Sequence, residues 1–75
     1  MLSVGSSWIV ESDEFHGNEI GGHEKVKPIS KGERIIVLYP PKPPAVETDR
    51  IRFACGGKKY WAFERDFTQA CRARG

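Results

Sequence analysis

What the sequence lacks narrows it first. Its longest apolar run is Ile35 to Tyr39, far short of the roughly 20 residues a helix needs to cross a bilayer. No positive charge precedes Lys25, and residues 2–10 are too polar for the apolar part of an export signal; a cytoplasmic location is therefore expected. Cysteine is scarce. Cys55 and Cys71 stand too far apart for a Cys-x-x-Cys redox pair or a zinc site, and they are expected to act as buried small apolar residues. No serine sits in a strained nucleophile turn, and neither Gly21-Gly22 nor Gly56-Gly57 is followed by the Lys-Ser/Thr of a phosphate-cradling loop. A length of 75 residues excludes a doubly wound sheet, whose crossover units take about 30 residues each. The expectation is a non-catalytic protein without a cofactor, forming one domain over 1–75 with its ordered core over about 5–72.

Charge is present but unevenly placed. The formal total is +2. Residues 1–25 hold Glu11, Asp13, Glu14, Glu19 and Glu24 against Lys25 alone, a balance of −4. Residues 50–75 hold seven bases against Glu64 and Asp66, a balance of +5. Such asymmetry marks candidate binding faces.

Strand signals dominate the chain. Ser7–Glu11 is a β-branched and aromatic run, and Glu33–Tyr39 is the strongest strand, with four consecutive aliphatics at Ile35–Leu38. Arg50–Cys55 alternates Ile51, Phe53 and Cys55 against Arg50, Arg52 and Ala54, and Lys59–Glu64 follows after a glycine-rich tip. Two loop lengths suit that hairpin. A two-residue loop at Gly57-Lys58 sends Trp61 and Phe63 to the face of Arg52. A three-residue loop at Gly56–Lys58 unites Ile51, Phe53, Trp61 and Phe63 on one apolar face and leaves Arg52 and Tyr60 outside. The hydrophobic pattern favours the second. Ile36, Leu38, Phe53, Trp61 and Phe67 are then expected to share a core. Ser30–Glu33 reads as a tight turn, Pro40–Pro44 as an extended stop, and Glu64–Arg74 as one short helical or 3₁₀ turn, with a final strand as the alternative.

This order of features resembles the SH3-like barrel. A first strand (SWIVE) leads into a long acidic loop; PISKGERIIVLY is similar to the turn and second strand of that family; a Pro-rich loop, a Gly-tipped hairpin and a short turn holding Phe67 follow. The resemblance implies a mainly β fold, a small five-strand barrel with a short C-terminal helical or 3₁₀ turn. The chain departs from peptide-binding SH3 domains where Arg50 and Ile51 stand in place of a tryptophan, and where Glu64 and Phe67 replace the Pro-x-x-Tyr of the last turn. What the resemblance carries over is the acidic long loop, which in that family can read basic ligand residues.

Two binding surfaces follow. The first takes a protein partner through Glu11, Asp13, Glu14 and Glu19 of the acidic loop together with Tyr39, Pro41 and Pro44, the prolines having Pro-x-x-Pro spacing. The second is the alternative to it, a small nucleic-acid-binding barrel that uses the basic aromatic hairpin of Arg50, Arg52, Lys58, Lys59 and Tyr60, in which cations neutralise phosphates and an exposed ring stacks on a base. Asp13, Glu14, His16, His23 and Glu24 are metal-ligating residue types without the spacing of a metal signature, and no metal is assigned to them. So small a core also favours self-association, through Trp8 or Tyr39.

Overall fold

Alternation and turn chemistry build nearly the whole molecule. The computed structural model describes residues 3–21, 25–39 and 49–74. The Pro-rich segment with Pro41 and Pro44, and His23 and Glu24, lie outside the described residues. Among these residues, seven strands form one antiparallel sheet: β1 (Ser7–Val10), β2 (His16–Glu19), β3 (Val26–Pro28), β4 (Arg34–Tyr39), β5 (Arg50–Cys55), β6 (Lys58–Phe63) and β7 (Cys71–Ala73). A helix, α1 (Glu64–Ala70), connects β6 to β7. The strand order is β3-β2-β6-β5-β4-β1-β7. No pairing among the described residues joins β3 to β7. The fold is thus mainly β, with one sheet of seven strands rather than five.

The last segment resolves into both of its expected alternatives, a helix and then a strand. Seven residues make a marginal helix alone. It holds because Phe67 and Ala70 are buried against the sheet, and because Glu11 and Ser12 N–H groups donate to the Ala70 carbonyl at 2.8 and 3.2 Å.

Phe53 occupies the centre of the core. It stacks on Phe15 (5.9 Å) and Tyr60 (5.7 Å) and lies 5.6 Å from Phe67, which meets Trp8 edge-on at 5.1 Å. Val10, Ile29, Ile35, Val37, Ile51, Ala62, Ala70 and both cysteines complete the cluster. Trp8 is therefore a core residue and offers no surface for self-association.

The β5–β6 hairpin corrects the expected register. Its loop has two residues, Gly56 and Gly57, with Cys55 opposite Lys58. Both glycines have positive φ, 58° and 79°, which is the requirement of a type I′ turn and matches the twist of the paired strands. Phe53 consequently faces Tyr60, and Arg52 faces Trp61. Tyr60 is buried and Trp61 lies on the outer face with Phe63, the reverse of the expectation. The stacked Phe53–Tyr60 pair fills the core where Trp61 was expected.

Strand β4 is corrected in the same sense. Ile35 and Val37 are fully buried, whereas Ile36 is 39% exposed and Leu38 half-buried. Neither Ile36 nor Leu38 anchors the core. Ile36 lies opposite Ser7 and Ala54, both outward positions.

Candidate functional site

The two register corrections gather one surface. Outward positions of β4, β5 and β6 carry Arg34, Ile36, Arg50, Arg52, Ala54, Lys59, Trp61 and Phe63. Tyr39 joins them through a bulge. Val37 pairs with Phe53, but Tyr39, not Leu38, pairs with Arg52. The extra residue re-aims the end of β4, as bulges do, and turns Tyr39 to the Arg52 side, where it is 64% exposed. None of these positions is acidic.

Cations and rings pair on this surface. The Arg50 guanidinium lies over the Trp61 indole, 4.2 Å from its centroid, and the Arg52 guanidinium lies 5.9 Å from the Tyr39 ring. Trp61 meets Phe63 edge-on at 5.3 Å. The Asn18 side-chain amide donates to the Trp61 carbonyl at 3.2 Å, which ties β2 to the site. The chain leaving β2 adds Ile20, and Ile20, Arg50, Arg52 and Trp61 line a shallow recess of about 130 Å³. Of the residues expected in a nucleic-acid site, Arg50, Arg52 and Lys59 are here. Tyr60 is in the core instead, and Lys58 turns toward Glu19 at the end of the hairpin.

Trp61, Phe63 and Arg34 belong to the surface and were absent from the expected site. The signal that finds Trp61 and Phe63 is in the sequence: Gly56-Gly57 is the dipeptide of a two-residue turn.

The acidic residues are dispersed. Glu11 pairs with Arg72 at 3.5 Å across β1 and β7. Asp13 and Glu14 are exposed in the β1–β2 loop. Glu19 lies within β2, where its Oε2 is 3.4 Å from Lys27 Nζ and 3.5 Å from Lys58 Nζ. Burial pulls its pKa upward, but the two ammonium groups outweigh burial and hold the carboxyl below its ordinary value. Glu14 lines a second recess of about 470 Å³ with Ser12, Phe15, His16, Asp66, Gln69 and Ala70. His16 is exposed, with Nδ1 3.1 Å from the Glu14 carbonyl. Among the described residues, no cluster of three or more His, Cys, Asp or Glu side chains is placed to hold a metal ion.

Both cysteines are free and buried. Burial, and then the Glu33 carboxylate 3.8 Å away, raises the Cys55 thiol pKa. Burial pushes Cys71 up to about 12, with Cys55 and Glu11 adding to it. Neither has the thiolate character of a nucleophile. Among the described residues, no helix is long and apolar enough to cross a membrane.

Comparison with protein-family models, curated proteins and solved structures finds no match to this chain.

Proposed function

We propose that the protein is a small SH3-like, non-catalytic binding module whose ligand surface is the outer face of β4–β6 and whose ligand is nucleic acid. The strand order supports the SH3-like reading. The last strand pairs with the first, the long first connection folds into a hairpin that reaches β6, and a helical turn separates β6 from β7.

One observation carries the functional reading: two adjacent cation–ring pairs, Arg50–Trp61 and Arg52–Tyr39, among outward strand positions of β4–β6 none of which is acidic. Exposed large rings are the informative exception on a protein surface. Cations beside them supply phosphate neutralisation and the rings supply stacking. The test is titration of labelled oligonucleotides at low and at physiological salt. Binding at low salt that weakens steeply as salt rises is expected, with Arg52→Glu and Lys59→Glu each abolishing it. An absence of binding at low salt overturns the reading.

A second reading keeps the acidic loop as a contact for a basic protein segment. The observation in its favour is the recess where Glu14 and Asp66 face one cavity beside Gln69. A pull-down comparing the wild type with a Glu11, Asp13, Glu14 triple alanine variant tests it. Unchanged recovery of a partner removes that role.

A further inference from the structure

We infer that the nucleic acid taken by this face is single-stranded, with a base stacked at the Arg50–Trp61 pair against the wall formed by Ile20. This rests on the proposal that the face binds nucleic acid, and it names the form bound.

The argument turns on what each form of nucleic acid exposes. A duplex offers phosphates and groove edges, and its base faces are occupied by stacking. A surface that only counted phosphates would need cations alone. Here three rings accompany the cations at outward positions: Tyr39 at 64% exposure, Phe63 at 36%, and Trp61 half-buried beneath the exposed Arg50. Guanidinium planes and aromatic rings both serve as stacking platforms for unpaired bases. The recess beside Trp61 adds an apolar wall, Ile20, and a second guanidinium, Arg52. The lining of the recess thus combines apolar surface for the ring of a base with cations for the phosphate attached to it.

The placement is also built rather than incidental. The Gly56-Gly57 turn fixes the parity that sends Trp61 outward, and the β4 bulge sends Tyr39 outward two strands away. From Lys59 to Phe63 the outward row of β6 spans on the order of 13 Å at about 3.3 Å per residue.

The experiment uses the full chain, a short oligothymidylate, a hairpin duplex with the same number of phosphates, and polyglutamate of matched charge. Affinity is read by anisotropy and stacking by tryptophan emission. Trp8, enclosed in the core against Phe67, is the silent second emitter. The expected result is that oligothymidylate binds about ten-fold or more tightly than the duplex and quenches emission. Trp61→Phe retains most of the affinity but loses the quench. Trp61→Ala loses about ten- to hundred-fold in affinity, the scale of one stacked base, with an unchanged salt slope. Arg52→Ala lowers that slope by about 0.7, one phosphate contact on a single strand.

Equal or tighter binding of the duplex without quenching overturns the single-strand inference and leaves the nucleic-acid reading standing. Polyglutamate binding as tightly as oligothymidylate, with the same quench, overturns both in favour of an acidic protein. No binding by any probe at low salt also overturns both. Trp61 lies outside the core, so circular dichroism of its variants should match that of the wild type.

Discussion

Tyr60 and Trp61 are chain neighbours with opposite fates, and strand parity makes the difference. The two-residue turn at Gly56-Gly57 sets Tyr60 opposite Phe53 on the inward face, where the two rings stack at 5.7 Å and 24°. Counting apolar side chains favours the opposite parity and places Trp61 there instead. The identity of the central residue was legible: Phe53 is fully buried, as its alternation with Arg50 and Arg52 implies. Phe53→Ala should therefore cost about 3–5 kcal/mol, enough to unfold so small a domain, whereas Trp61→Ala should cost less than about 1.5 kcal/mol. Urea denaturation of the two variants separates them, and equal losses would place Trp61 in the core. Glu19 supplies a pH test. Its folded pKa lies below the ordinary 4.5, so the ionised carboxylate contributes stability above that value, and the contribution is lost as pH falls through the lowered folded-state pKa. Wild type should lose more stability than Glu19→Gln between about pH 7 and about pH 3, read as the change in urea midpoint. The pairing of Glu19 with Lys27 and Lys58 was not legible. Membership of an acidic stretch gave no sign that the residue would fall inside a strand between two lysines.

At the scale of elements, existence was easier to read than register. β1, β4, β5 and β6 lie close to where alternation and β-branching put them, and the helical turn buries Phe67 as its spacing implies. The β2–β3 hairpin was not seen, because His16–Glu19 contains glycine and asparagine and only one buried position. That position is Gly17, and its burial explains the composition. A Cβ on Gly17 would lie 2.8 Å from Ile29 Cδ1 and 3.1 Å from Tyr60 Cβ, so the strand packs against Tyr60 only without a side chain there. Gly17→Ala should destabilise by about 1–3 kcal/mol through overpacking, and its thermal midpoint should fall accordingly. The β5–β6 turn gives the opposite sign. Asparagine readily adopts the positive φ that Gly56 has in a type I′ turn, and it lowers the entropy of the unfolded chain. Gly56→Asn should raise stability by up to about 1 kcal/mol. A clear loss in the same denaturation assay would mean that the tip is not a two-residue type I′ turn.

For the molecule as a whole, the near-neutral total conceals a sorting of charge by partner. The early acids Glu11 and Glu19 find Arg72, Lys27 and Lys58, while Arg34, Arg50, Arg52 and Lys59 share outward positions of β4–β6, none of them acidic. Asymmetry along the chain hinted at this. Only strand parity decides which bases and rings end up together, so the basic surface is legible in part, and Trp61 and Phe63 join it only with the parity of a two-residue turn. The two thiols offer a readout of how the molecule holds together. Cys55 sits in β5, paired on both sides by β4 and β6, whereas Cys71 opens β7, which pairs with β1 at one end of the described sheet order. Its raised pKa, about 12, keeps the Cys71 thiol protonated at neutral pH, and burial denies a reagent access, so native labelling requires an opening event. Short terminal elements open at lower free energy than central strands. Iodoacetamide labelling followed by mass spectrometry should therefore modify Cys71 before Cys55 at low denaturant, with both rates converging as global unfolding takes over. Simultaneous labelling of the two across the whole range would show instead that α1 and β7 open only with the entire sheet. The helix and last strand would then belong to the same cooperative unit as Phe53.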